Sequence, residues 1–127
     1  GFDWDDSPPE DPFGNTYTGI WYTNHDGWSS DTRTVSAEYR IDSKYAVLSG
    51  VLAPYISIGE NSTFKIQVYT DDGSNTYTLV YTSPEIGRKT DAYTFEAPIA
   101  GAKYVKISII LGDEAAGILA DLQLWPK

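Results

Sequence analysis

The chain of 127 residues carries 18 acidic and 9 basic side chains, one His, and neither Cys nor Met, so it fits a single domain without disulfides, thiolate zinc sites or a Cys nucleophile. Its formal net charge of −9 works against binding to nucleic acid or to an anionic membrane surface, because each phosphate needs a cationic partner. No stretch approaches the roughly 20 apolar residues of a membrane span, and no basic and then apolar segment marks a signal peptide.

The first 15 residues differ in character from the rest of the chain. They are rich in acids and contain Pro8, Pro9 and Pro12, which cannot donate hydrogen bonds to a sheet. We therefore expect residues 1–15 to form a linker or an irregular N-terminal arm, and residues 16–127 to form one module. Within the module, residues 17–22 predict a short strand that leads into a long loop.

From residue 34 onward the pattern is that of β-structure. Apolar and polar residues alternate in several short runs, and turn residues separate the runs at intervals of about ten. This pattern predicts an all-β fold, an antiparallel β-sandwich or jelly roll. Gly50 interrupts an apolar run, which indicates a strand that another segment approaches closely. The alternation predicts this shared core: Leu48, Ile66, Val68, Phe95, Val105, Ile107, Ile109, Leu122 and Leu124.

The densest cluster of aromatic and short polar side chains lies between Trp21 and Trp28. Flat aromatic rings stack on the C–H faces of a sugar, and Asn, Asp and His side chains form hydrogen bonds with its hydroxyl groups. The cluster therefore predicts a ligand-binding loop with these contact residues: Trp21, Tyr22, Asn24, His25, Asp26 and Trp28. The alternative is that both Trp side chains close the end of the sandwich and that residues 24–27 form a turn.

A second candidate surface comes from positions that alternate with the core positions of two strands. These positions are Gln67, Tyr69, Tyr104 and Lys106. Successive side chains of a strand point to opposite faces of the sheet, so the four should share the solvent face. That face could be a platform for a glycan chain or an ordinary polar sheet surface.

Several strand-forming segments, taken in chain order, resemble one family. They are residues 44–52 (KYAVLSGVL), 64–73 (FKIQVYTDDG), 79–86 (LVYTSPEI), 101–107 (GAKYVKI) and 118–122 (ILADL). Their succession is similar to the NPCBM-like group of carbohydrate-binding modules, which includes carbohydrate-binding module family 51. Residues 1–33 depart from the pattern. The resemblance implies a calcium-supported, galactose-binding-like sandwich on secreted or surface proteins of Gram-positive bacteria, often glycoside hydrolases.

Asp121 interrupts the alternation of the last strand, and we expect its carboxylate to be partly buried. A buried carboxylate needs a partner, and Ca²⁺ is one solution. The resemblance implies a structural calcium site that joins such an Asp to the start of the module. Acids of the arm could supply further ligands: Asp3, Asp5, Asp6, Glu10 and Asp11. The alternative is a salt bridge or hydrogen bonds to loop amides.

Catalysis is not expected, because no acid, Ser or His stands in a recognisable catalytic pattern. We expect a non-catalytic, monomeric carbohydrate-binding module, tethered to a secreted enzyme or surface protein and directed at a neutral plant or host polysaccharide. The alternative is a structural or protein-interaction module of a bacterial cell-surface or cellulosome-like assembly without a sugar site. Exposure of Trp21 and Trp28 would favour the first hypothesis, and their burial the second.

Overall fold

The structure, a computed structural model, describes residues 9–23 and 33–126. These residues contain nine β-strands and no helix, so no helix that could cross a membrane occurs in them. The strands are β1 (Gly19–Thr23), β2 (Arg33–Arg40), β3 (Tyr45–Pro54), β4 (Thr63–Asp71), β5 (Thr78–Thr82), β6 (Ile86–Gly87), β7 (Tyr93–Pro98), β8 (Tyr104–Leu111) and β9 (Ala116–Pro126).

The strands form two antiparallel sheets, as the alternation of apolar residues predicted. One sheet has four strands in the order β1-β9-β3-β7. The other has five, in the order β2-β8-β4-β5, with the short β6 paired to the start of β4. The predicted all-β sandwich is therefore confirmed.

The core lies between the two sheets and is built from the inward positions of the strands. In the five-stranded sheet, Ile66 lies opposite Ile109 and Val68 opposite Ile107, and all four are at most 1% exposed. Seven of the nine predicted core residues are buried: Leu48, Ile66, Val68, Phe95, Val105, Ile107 and Ile109. Gly50 is needed where β3 meets Phe95, because an added Cβ would lie 2.7 Å from the Phe95 ring.

Leu122 and Leu124 were predicted to be core residues, but each is 38% exposed. Both keep inward positions after a bulge in β9, which lies between the residues paired with Ser49 and Val51 and where Asp121 has a φ of 51°. Because β1 pairs only with the first half of β9, the second half lies at an open edge between the sheets. A mainly apolar cleft of about 220 Å³ opens there and is lined in part by both Leu side chains.

The described part of the expected arm is an ordered turn that folds onto the four-stranded sheet. The Asp11 side chain, 1% exposed, accepts hydrogen bonds from the backbone N–H groups of Phe13 and Asn15, both at 2.9 Å. It also accepts hydrogen bonds from the Asn15 amide at 3.1 Å and the Tyr17 hydroxyl at 2.7 Å. The Ile56 N–H donates to the Glu10 carbonyl. Residues 9–15 are thus joined to the sandwich.

Candidate functional site

The predicted ligand-binding loop falls for the most part outside the described residues. This applies to four of its six contact residues: Asn24, His25, Asp26 and Trp28. The backbone of Trp21 is described and pairs with Ile118 of β9. Contact between a ligand and these five side chains stays a prediction.

Tyr22 is the contact residue of that loop whose side chain is described, and it belongs to the core. It is 2% exposed and lies opposite Gly117 in the pairing of β1 with β9. Because β1 turns this position toward the other sheet, the ring is withdrawn from the surface. We therefore remove Tyr22 from the predicted contact set.

Asp121 lies at the bulge of β9 with its side chain exposed, so the expected partial burial is wrong. Its backbone N–H donates a hydrogen bond to the Thr18 carbonyl at 3.2 Å. In the part of the chain that the structure describes, no three His, Cys, Asp or Glu side chains are grouped to hold a metal ion. Both carboxylate oxygens of Asp11 already accept hydrogen bonds, and Asp3, Asp5 and Asp6 lie outside the described residues.

The outer face of the five-stranded sheet carries the other candidate surface. The pairing of β2, β8 and β4 places outward side chains in rows across the strands. One row contains Ser36, Ser108 and Gln67; the next contains Glu38, Lys106 and Tyr69; the third contains Arg40, Tyr104 and Asp71. All four residues predicted to share a face therefore do so. We call the surface formed by Gln67, Tyr69, Tyr77, Tyr104 and Lys106 the tyrosine–lysine face.

Lys106 lies at the centre of the tyrosine–lysine face. Its Nζ is 4.5 Å from the centroid of the Tyr69 ring and 4.8 Å from that of the Tyr77 ring. An ammonium group over an aromatic face is attracted by the negative potential of the ring. The Tyr69 hydroxyl donates to Oε1 of Gln67 at 2.8 Å. The contacts hold the two rings and the ammonium in one arrangement.

Burial and nearby negative charges favour the neutral form of the Tyr77 hydroxyl. Burial raises the pKa of Tyr77, and the negative charges of Glu38 and Asp71 raise it further. Like any phenol at neutral pH, the hydroxyl is a hydrogen-bond donor as well as an acceptor. The sequence did not single out Tyr77, because it stands in the turn before β5, where alternation gives no signal. Its contact with Lys106 places it on the face.

The tyrosine–lysine face combines flat rings with hydroxyl, amide and ammonium groups on rigid strands. Neighbouring strands lie about 4.8 Å apart, and residues on one face of a strand repeat at about 6.8 Å. These spacings are comparable to the width of a sugar ring. A polyhydroxylated ligand that lies across β4 and β8 could contact a ring and several hydrogen-bonding groups together.

No family model and no curated protein matches the chain, but solved structures do. The CBM51 of GH95 from Clostridium perfringens, solved with methyl-galactose, has a TM-score of 0.60 and 18% identity, over 92% of this chain and 78% of that one. CBM51-2 of Clostridium perfringens ZmpB, solved with GlcNAc and INT domains, has a TM-score of 0.56 and 13% identity, over 94% of this chain and 31% of the longer one. TmCBM61, solved with beta-1,4-galactotriose, has a TM-score of 0.50 and 10% identity, over 86% and 70%.

At these identities the likeness is one of fold. It extends over almost the whole chain and joins it to domains that are described as carbohydrate-binding modules. The family resemblance that the strand segments indicated is confirmed at that level. The chain has the β-sandwich fold of CBM51 domains and of other carbohydrate-binding modules.

Proposed function

We propose that the chain is a non-catalytic, monomeric glycan-binding module of a larger extracellular protein, which it holds on its glycan. The observation that carries the proposal is the tyrosine–lysine face, where Lys106 bridges the ring of Tyr69 in β4 and the ring of Tyr77 just before β5. Solved domains of the same fold bind methyl-galactose, GlcNAc or beta-1,4-galactotriose. One of them stands beside a catalytic domain in its parent chain, which supports tethering.

The charge of the chain favours a neutral glycan. A net charge of −9 repels an acidic polysaccharide at low ionic strength. On the outer face of this sheet, Glu38 lies opposite Lys106 in the strand pairing, so the Lys106 ammonium has a carboxylate beside it. Lys106 then acts as a hydrogen-bond donor to hydroxyl groups more than as an anion site.

The residues of the predicted loop extend this proposal. Trp21 and Trp28 bracket a segment that contains Asn24, His25 and Asp26, and such a combination suits stacking on a sugar and hydrogen bonding at its edge. Stacking and desolvation at one ring contribute on the order of 1–3 kcal/mol, so Trp→Ala there should weaken binding about 10–100-fold. We keep Trp21 and Trp28 as proposed contacts.

Calcium binding is proposed on the sequence alone. An ion that binds only the folded state stabilises it by mass action. If Asp121 and acids of the arm share Ca²⁺, excess EDTA should lower the melting temperature and added Ca²⁺ should restore it. An unchanged melting curve would remove the calcium site without affecting the glycan proposal.

The direct test is affinity electrophoresis of the module in gels that contain soluble neutral polysaccharides such as galactan, xylan or β-glucan. Tyr77→Ala and Tyr69→Ala should restore free migration in a gel that retards the parent. Tyr39→Ala is the matched control, because Tyr39 is 42% exposed but lies outside the face. Trp28→Ala tests the loop in the same gel.

The outcomes separate the hypotheses. Loss of retardation in the tyrosine variants alone assigns binding to the face, and loss in Trp28→Ala alone assigns it to the loop. If the parent migrates freely in every gel and shows no signal on a glycan array, the glycan-binding proposal is wrong. The interaction-module alternative would then be preferred.

A further inference from the structure

Trp125 lies on the outer face of the four-stranded sheet, on the opposite side of the sandwich from the tyrosine–lysine face. Its side chain is 51% exposed. Its Nε1 nevertheless donates a hydrogen bond to Oγ of Ser49 in the adjacent strand, at 2.8 Å. The single polar atom of the indole is thus satisfied by the sheet, which fixes the ring while half of its surface stays open.

Polar side chains occupy the row next to Trp125 on this face. The strand pairing aligns Gln123, Ser49 and Glu96 in one row across β9, β3 and β7. Trp125 occupies the next row of β9, opposite Val47. Same-face residues of a strand lie about 6.8 Å apart, so the amide of Gln123 is within one sugar ring of the indole. Glu96 lies two strands from Gln123 and is exposed.

The open area around Trp125 has a boundary. Farther along the same face, Ala53, Ile118 and Ala120 are buried, and Tyr17 of the N-terminal turn packs against them. The turn therefore covers one half of the face and leaves the other half open. In the described part of the chain, the strip of this face that carries Trp125 and the row of Gln123, Ser49 and Glu96 lies beyond the N-terminal turn. We call this strip the Trp125 trough.

We infer that the Trp125 trough is a second saccharide site, which takes one ring of a neutral glycan. The inference rests on the proposed function and adds a second contact to it. The indole supplies the stacking surface, the Glu96 carboxylate accepts hydrogen bonds from hydroxyl groups, and the Gln123 amide donates and accepts them. Because Glu96 brings negative charge to the trough, an acidic sugar is repelled there.

Two sites on opposite faces change how the module holds a polysaccharide. One face can bind one chain while the trough binds another, so the module can bridge neighbouring chains of an insoluble glycan. Linked sites raise the overall affinity well above that of either one, because the second contact is intramolecular. Loss of the trough should therefore weaken retention on insoluble glycan more than binding of a short oligosaccharide.

The test uses the indole N–H resonance of Trp125, which Trp125→Phe assigns among those of the four Trp residues. The whole module is titrated with methyl-galactoside, GlcNAc and beta-1,4-galactotriose, and with oligosaccharides of any polysaccharide that retards it in gels. We expect the Trp125 resonance to shift in the parent and also in a Tyr69→Ala, Tyr77→Ala double variant. Glu96→Gln should weaken this shift several-fold without altering the spectrum of the free module.

Binding variants give the second readout. Trp125→Ala should lower retention on the insoluble glycan about tenfold or more. The control, Phe13→Ala, removes an aromatic side chain that is 54% exposed elsewhere on the surface and should have no effect. Ser49→Ala keeps the indole but frees its Nε1, and should weaken retention by a few-fold.

Three results would overturn the inference. If a glycan shifts resonances of the tyrosine–lysine face and leaves the Trp125 indole unchanged, the trough fails and the proposed function stands. If no probe shifts any resonance and no gel retards the module, both fail. If the Trp125 indole responds only to protein concentration, and Trp125→Ala abolishes a dimer in sedimentation, the trough is a protein contact instead.

Discussion

The two outer faces of the sandwich differ in the polarity of their side chains and therefore in whether they must be covered. On the five-stranded sheet the central outward positions are polar, and Ser36 and Ser108 form a hydrogen bond at 2.8 Å across the strands. On the four-stranded sheet, several outward positions are apolar, among them Ala53, Ile118 and Ala120. The first face can stay in contact with water, whereas the second needs a cover.

The difference shows why a proline-rich N-terminal segment belongs to the fold. Residues 9–17 supply the cover, and the buried Asp11 carboxylate organises them through four hydrogen bonds. In the part of the chain that the structure describes, the N-terminal turn packs on half of the outer face of the four-stranded sheet, whereas the polar outer face of the other sheet is uncovered. Stability and binding should therefore respond to different residues on the two sides.

The largest effect is expected at the cover. Asp11→Asn replaces one acceptor oxygen with a donor that faces the Asn15 amide and the Tyr17 hydroxyl. Hydrogen bonds to a charged group contribute about 1.5–3 kcal/mol each, and part of that is retained by the remaining oxygen. We expect the free energy of unfolding to fall by about 2 kcal/mol, measured by urea denaturation, with Asp91→Asn as the exposed control.

Measurements of stability at low pH extend this test. Burial acts to raise the pKa of Asp11, but its hydrogen bonds from Tyr17, Asn15 and Phe13 outweigh burial and hold the pKa below 3.8. The group therefore stabilises the fold above the ordinary pKa of Asp, and this contribution is lost as the pH falls through the lower folded value. Below pH 4 the parent should approach Asp11→Asn in stability. Equal stability at pH 7 would show that the cover does not depend on this carboxylate.

Alkaline pH should also weaken the N-terminal cover, with a smaller effect on stability than Asp11→Asn. Burial raises the pKa of Tyr17 to about 12, with help from its hydrogen bond to Asp11 and the negative charge there. The unfolded chain ionises this Tyr near pH 10, so its contribution is complete below pH 10 and is lost between about pH 10 and 12. In that range Tyr17→Phe should lose stability less steeply than the parent, as followed by circular dichroism.

Burial also raises the pKa of Tyr81 to about 12, and a hydrogen bond with Tyr93 adds to this. Tyr81→Phe therefore measures one contribution to the alkaline transition that does not come from the cover. A slope for Tyr17→Phe that equals the parent slope would assign the whole transition to Tyr81 and to residues elsewhere.

The sequence predicted well which face of a sheet each residue occupies, because the alternation of apolar and polar residues reflects the local geometry of a strand. It placed Ile66, Val68 and Ile107 in the core and put Tyr69 and Lys106 on one outer face, as observed. The prediction failed where the pairing of strands that are distant in the sequence determines whether a residue is exposed. Leu122 occupies an inward position of β9, but it is exposed because β1 does not extend beside that half of the strand. The length of a neighbouring strand is not encoded in any local sequence pattern.

The burial of the acidic residues was harder to predict, because it too depends on contacts between distant segments. Asp11 stands in an irregular, proline-rich segment and Asp121 stands between Ala120 and Leu122 of a strand, yet Asp11 is 1% exposed and Asp121 is exposed at a bulge. Burial of Asp11 depends on Asn15 and Tyr17 folding back on it, and exposure of Asp121 depends on a shift in the pairing with β3. Neither relation has a sequence signature, so the charge pattern alone could not tell them apart.

On the uncovered face, Lys106 should affect binding more than stability. Lys106→Met keeps most of the side chain but removes the charge over Tyr69 and Tyr77. Cation–π contacts at exposed sites contribute about 0.5–1 kcal/mol each, so the loss of stability should stay near 1 kcal/mol and below that of Asp11→Asn. Retardation in glycan gels should drop more clearly. Lys65→Met, on the same face of β4, is the control, and an equal loss of retardation in both would assign the effect to net charge.

The smallest effect is expected at the edge of that uncovered face, where Arg40 and Asp42 form an ion pair. Nε of Arg40 lies 2.6 Å from Oδ1 of Asp42, with the two side chains 65% and 43% exposed. The hydrogen bond from Arg40 lowers the pKa of Asp42, as hydrogen bonds lower that of Asp11. Water and salt screen an exposed pair, however, and such pairs often contribute nothing measurable. Asp42→Asn keeps a side chain that tolerates the positive φ at this position, so its thermal melting curve should coincide with that of the parent. The prediction is wrong if Asp42→Asn lowers the melting temperature as much as Asp11→Asn does and if 1 M NaCl abolishes this loss. Charge pairing, and not burial, would then account for the difference in stability between the two faces.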